Sequence, residues 1–167
     1  VRRHDRFAFA FPAGFRFAIK ASRRITHIGR LKPESVAETT GYLYKNLAAL
    51  GACRGPVLFQ LPPNLKKDLA RLEGFLALLP AGHGAVFEFR NPTWNVAPVY
   101  EVLRRHNAAY CIYELAGFQS PIEITADFTY VRLHGPGNKY QGDYSGKILR
   151  NWAKRIEAWR RELKHVF

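Results

Sequence analysis

The chain has 167 residues, 47% of them hydrophobic and 23% charged, which is the composition of one globular domain long enough to bury a core. Its 26 Lys and Arg against 13 Asp and Glu leave a net charge of +13, which either favours anionic partners, nucleic acid first, or serves solubility alone. No apolar run reaches the roughly 18 residues of a membrane span, the basic residues 1–6 lack the apolar stretch of a signal peptide, and the isolated Cys53 and Cys111 read as buried thiols of a reducing cytoplasm.

Elements follow one another as strand and helix. Residues 15–20 alternate as a first strand after the turn signal Pro12-Ala13-Gly14. Pro33 and Ser35 open a helix running to Leu50 and closed by Gly51. Residues 56–61 form a short apolar strand stopped by Pro62-Pro63, and residues 66–79 a helix with Leu69, Leu72, Phe75, Leu76 and Leu79 on one face. A third strand covers 85–90, a helix 96–106, a fourth strand 108–113 and a fifth 129–134. The last helix, capped by Ser145, is read over 147–165, with Trp152 and Trp159 as core anchors on its apolar stripe. Short alternating connections predict a parallel sheet. The fold class is therefore α/β, a TIM-barrel-like (β/α) parallel sheet in one domain over 1–167. Five strands make it an incomplete barrel, since a full one needs about 250 residues.

The candidate site lies at the carboxyl ends of these strands, where α/β folds keep their ligands. Side chains alternate along a strand, so Glu88 and Arg90 share a face, as do Arg132 and His134. Lys20 ends the first strand and Gln60 the second; on the fourth, either Tyr113 or Glu114 points inward. Three cations, Lys20, Arg90 and Arg132, against one carboxylate, Glu88, suit a phosphate or carboxylate ligand held by Arg forks. His134 is the candidate general acid or base, and Glu88 the base or the group that orients an arginine. The competing readings are a structural ion pair for Glu88 and backbone hydrogen bonds for His134 and Gln60. His27, after Thr26 in the loop beyond the first strand, reaches toward the site or is a surface residue. Trp94, just past the third strand, reads as a stacking platform or lid for a base or sugar. The Gly-rich loop 135–142, with Lys139 and Tyr140, followed by Tyr144, is a second place for phosphate. No zinc-type spacing and no nucleophile elbow is present, no metal is assigned, and the cofactor is unknown.

Taken together, the motifs resemble the domain of unknown function 72 family, also called YecE-like. The resemblance rests on Phe15-x-Phe17 with Lys20 and Thr26-His27, on the run from Gly55 through Gln60 to Pro63, and on Glu88-Phe89-Arg90-x-x-x-Trp94. It continues in Tyr130-Val131-Arg132-Leu133-His134-Gly135 and in Tyr140-x-Gly142-x-Tyr144-Ser145. It implies a TIM-barrel-like fold and carries those positions forward as site residues, with no settled reaction. Members of the family begin with a further Gly- and Trp-containing strand and a second strand, and end with a strand bearing an Asn-Asp pair. This chain, which also lacks methionine, therefore reads as truncated at both ends. The functional expectation is a cytoplasmic protein binding an anionic small molecule or nucleic acid in a cationic pocket, with hydrolase activity on a phosphate-containing substrate. The alternatives are a non-catalytic nucleic-acid-binding or scaffold protein, and a sugar-active enzyme using Glu88.

Overall fold

The structure, a computed structural model, describes residues 11–82, 84–138 and 140–167. The basic residues 1–6, His83 and Lys139 lie outside the described residues. The chain divides into two compact units, Val1–Trp94 and Asn95–Phe167.

In the first unit, β1 (Phe17–Lys20), β2 (Arg54–Gln60) and β3 (Ala85–Glu88) pair in parallel in that order. The crossovers are α1 (Pro33–Leu47) and α2 (Leu69–Leu76). Pro33 occupies the first helical position of α1, where its missing N–H costs nothing. The Asp68 carboxylate caps α2 by accepting from the Arg71 N–H at 3.0 Å, so this helix starts later than the apolar spacing predicts. Register fixes the faces. Phe59 pairs with Phe87, and Phe75 of α2 packs on both rings at centroid distances of 5.1 and 6.1 Å, so this is the helix-covered side. Lys20 pairs with Leu58, Leu58 with Val86 and Gln60 with Glu88, so all five occupy the opposite side. Gly55 permits the close approach of β1, since a Cβ there would stand 2.5 Å from the Phe17 carbonyl oxygen. Between β1 and α1 the chain makes a π-helical turn, Arg24–Ile28, where the sequence reads as a plain loop.

In the second unit, β4 (Ala109–Leu115), β6 (Phe128–Leu133) and β7 (His165–Val166) are parallel, and β5 (Phe118–Gln119) folds back antiparallel on β4. α3 (Ala97–Arg105) packs Tyr100 edge-on against Tyr110 of β4 at 5.4 Å. α4 (Gly146–Glu162) is capped by Ser145, whose hydroxyl accepts from the Ile148 N–H. Two expectations are corrected here. The last helix does not run to His165: Leu163 turns extended, and 164–167 return along β6 through Phe167 N–H to the Thr129 carbonyl and Val131 N–H to the Phe167 carbonyl. Trp152 is buried as expected, whereas Trp159 is half-buried. The strand count therefore rises from five to six parallel strands among the described residues, with the two-residue β5 besides.

Candidate functional site

The carboxyl ends of β1, β2 and β3 carry a continuous line of hydrogen bonds. Lys20 Nζ donates to Gln60 Oε1 at 2.7 Å, Gln60 Nε2 donates to Glu88 Oε1 at 2.7 Å, and Arg90 forms an ion pair with the same Glu88 oxygen. The period-2 alternation of three neighbouring strands produces this line, because Lys20, Gln60 and Glu88 sit on the face away from α2 and Arg90 follows two residues past the end of β3. Glu88 is fully buried, Gln60 and Arg90 are part-buried, and Lys20 is exposed. The line thus has an accessible cation, Lys20, at one end, a part-buried cation, Arg90, at the other, and the buried anion next to Arg90. Gln60 bridges two charged side chains here, where the sequence reading also allowed it to serve backbone groups of the Pro62-Pro63 turn. The Pro63 carbonyl accepts from Asn91 Nδ2 instead.

Positive charge extends beyond the line. His27 is part-buried, and its Nδ1 lies 2.8 Å from the Thr26 hydroxyl. Partial burial first, then the charges of Arg23, Lys20 and Arg30, hold its pKa below the ordinary histidine value. Arg30 Nη2 donates to Asn64 Oδ1 at 2.6 Å. Arg23 and Arg30 are absent from the sequence reading of the site, where the signal available was three arginines within eight residues of a connection just past a strand end.

Trp94 requires a correction. Its ring has no exposed surface, stacks on Phe89 at 4.7 Å and 14°, and donates its N–H to the Leu65 carbonyl at 2.7 Å. The indole fastens 61–65 to the end of β3 and offers no platform to a base or sugar. A short turn, Pro92–Trp94, folds the ring inward, so a residue that follows a strand end in sequence is not a rim residue in space.

The second unit gathers the other candidates around its own strand ends. Tyr113 pairs in register with Arg132 and so shares its face, while Glu114 points the other way and accepts from Trp152 Nε1 of α4 at 3.1 Å. His134 is buried, with its ring edge-on to Tyr140 at 5.2 Å. Its backbone N–H donates to the Glu114 carbonyl, and its carbonyl accepts from the Tyr140 N–H. Tyr144 Oη accepts from the Gly135 N–H at 3.0 Å, and burial raises its pKa above the ordinary tyrosine value. Gly135 has φ +99°, and a Cβ there would meet the Gln141 carbonyl oxygen at 2.6 Å, so the 135–142 loop closes tightly on itself at this point. Among the described residues, no three His, Cys, Asp or Glu side chains gather as metal ligands, and no helix is long and apolar enough to cross a membrane.

Parallel strands alternating with helices, with polar side chains collected at the strands' carboxyl ends, define an α/β fold of the incomplete TIM-barrel-like kind. Within that class, the chain belongs to the family described as "Protein of unknown function DUF72", whose model matches residues 2–167. It is similar to the crystal structure of a DUF72 family protein from Thermotoga maritima, with a TM-score of 0.74 and 22% identity over 93% of this chain and 66% of that one. It is also similar to a DUF72 family protein from Enterococcus faecalis, seen in two crystal structures with TM-scores of 0.76 and 0.75 at 16% identity. These matches cover 98% of this chain and 70% and 74% of those chains. The chain thus spans 66–74% of the length of these structures, and the likeness is one of fold. No curated protein matches it.

Proposed function

We propose that the strand ends of the first unit bind a phosphate-bearing ligand, a small molecule or a nucleic-acid phosphate, through Lys20 and Arg90. What carries this reading is the fixed order Lys20–Gln60–Glu88–Arg90, in which the sole carboxylate is buried and spent on holding its neighbours. A carboxylate so engaged orients an arginine fork and, through Gln60, a lysine; oriented cations of this kind are what an oxyanion site needs. Among the roles open to Glu88, that of orienting group is better supported than that of a base, because the side chain is fully buried and its Oε1 holds both Gln60 and Arg90. The wider reading, a hydrolase acting on a phosphate-containing substrate with His134 as acid or base, is the secondary proposal and rests on the burial of that imidazole beside Tyr140.

The test is thermal denaturation of the protein with inorganic phosphate, sugar phosphates and short oligonucleotides. At a ligand concentration 100-fold above Kd, binding to the folded state adds about 2.7 kcal/mol, roughly 5–10 °C in Tm for a chain of this size. Lys20→Met and Arg90→Met are each expected to reduce the shift. No stabilisation by any of these anions removes the proposal.

A further inference from the structure

The connection between β1 and α1 holds an unusual concentration of irregular backbone and positive charge. It contains the π-helical turn Arg24–Ile28, and then two consecutive non-glycine residues in the left-handed region, Arg30 at φ 51° and the fully buried Leu31 at φ 58°. Both devices are uncommon, and such backbone gathers where side chains must be aimed. Here they carry Arg23, His27 and Arg30 in the connection that leaves β1 at Lys20, close enough that the charges of Arg23, Lys20 and Arg30 all act on the His27 imidazole. Arg30 Nε is buried with no hydrogen-bond partner among the described residues, although the same guanidinium is anchored through Nη2 to Asn64. A buried cationic donor without a partner is costly, and an oxygen of a bound anion is one group that can satisfy it.

We infer that Lys20, Arg23, His27 and Arg30 form a subsite for a tetrahedral oxyanion in this connection, and that His27 takes up one proton as the anion enters. The inference rests on the phosphate-binding reading of the neighbouring strand ends. The groups that act on the imidazole are Lys20 from β1, Arg23 from the π-helical turn and Arg30 from the segment leading into α1, and all three are positive. Neither Glu34 nor Glu38 of α1 is among them. An imidazolium in that company is disfavoured until negative charge arrives; a bound dianion reverses the balance. Thr26 bears on which nitrogen gains the proton. It is buried, and its hydroxyl lies 3.4 Å from the Ser22 carbonyl and 2.8 Å from His27 Nδ1. With the hydroxyl hydrogen on the Ser22 carbonyl, its lone pair takes the Nδ1–H, and in that tautomer Nε2 is the nitrogen that receives the proton from solvent.

Sulfate is the probe of choice, because it does not titrate between pH 5.5 and 8, and inorganic phosphate is the second. Calorimetric titrations in buffers of different ionisation enthalpy are expected to report uptake approaching one proton per sulfate near neutral pH. Affinity is expected to fall with rising pH by up to tenfold per unit. His27→Gln is expected to bind sulfate with neither proton uptake nor this slope, while Arg23→Met and Arg30→Met lower the affinity. The His27 ring resonances of the unaltered protein supply a reading that needs no variant: sulfate is expected to move them toward the imidazolium position. Sulfate binding without proton uptake, or binding indifferent to Arg23 and Arg30, overturns this subsite alone. Failure of both anions to bind also overturns this subsite, whereas the strand-end reading falls only when sugar phosphates and oligonucleotides fail to stabilise the protein as well.

Discussion

Replacing Glu88 by Gln keeps the side chain's shape and deletes its charge, and the structure sets the size of the effect. Glu88 is fully buried and the Arg90 side chain is 11% exposed. The pair therefore belongs with buried ion pairs, where loss of one partner costs about 3–5 kcal/mol, and not with surface pairs worth about 0–1 kcal/mol. Gln still offers an oxygen to the Gln60 amide, which places the expected loss at the lower end, about 3 kcal/mol. With a urea m-value of about 2 kcal/mol/M, the unfolding midpoint falls by about 1.5 M. The assay is urea denaturation followed by both tryptophan fluorescence and circular dichroism, whose coincidence checks that the transition is two-state. A fall of less than about 0.5 M, or about 1 kcal/mol, refutes the argument that this pair is desolvated. The double variant Glu88→Leu with Arg90→Met supplies the converse. Most of the loss in Glu88→Leu is expected to return when the stranded cation is also removed, because an apolar replacement of a buried pair is close to neutral.

Trp94→Phe keeps the stack on Phe89 but leaves the Leu65 carbonyl without its donor, at a cost of about 1–3 kcal/mol by urea denaturation. Since the indole has no exposed surface, the phosphate-induced Tm shift is expected to survive the change; its loss in a folded variant would return Trp94 to the ligand site. In the second unit, the Asp127 pKa is depressed, first by the hydrogen bond from Lys164, against an opposing contribution from burial. A carboxyl with a lowered folded pKa stabilises above its unfolded value of about 3.9, and that stability disappears as pH falls through the folded pKa. The Tm advantage of the natural protein over Asp127→Asn is therefore expected to be level above about pH 5 and to shrink below about pH 4. An advantage unchanged down to pH 2.5 would contradict the assignment.

The site was legible in the sequence wherever alternation along a strand determines direction. Val86 and Glu88 read as one face because a strand interior admits no other arrangement, Gln60 and Lys20 follow by register, and Arg90, two residues past the end of β3, still reaches Glu88. Reading failed where direction depends on the turn that follows. Trp94 sits six residues past Glu88, and the short turn Pro92–Trp94 swings it beneath the rim. The π-helical turn at Arg24–Ile28 has no propensity signature of its own, so the aim of Arg23, His27 and Arg30 was invisible. β7 escaped for a different reason: two residues carry no period, and only their pairing with Phe128 and Thr129 makes them a strand. The choice between Tyr113 and Glu114 needed a partner strand, and the register of Tyr113 with Arg132 supplied it.

Gln60 has a consequence beyond holding its neighbours. Lys20 and Glu88 belong to strands that are not adjacent, about 10 Å apart at the usual spacing, and Gln60 of the strand between them bonds to both. The primary amide between them is oriented by both at once, oxygen toward the ammonium and nitrogen toward the carboxylate. Its two nitrogen-bound hydrogens are therefore an internal gauge with a spectroscopic signal of its own. A ligand that draws Lys20 away unloads the carbonyl, and a change of charge at Glu88 unloads the nitrogen. The side-chain amide resonances of this one glutamine register the two events separately, from the centre of the strand ends.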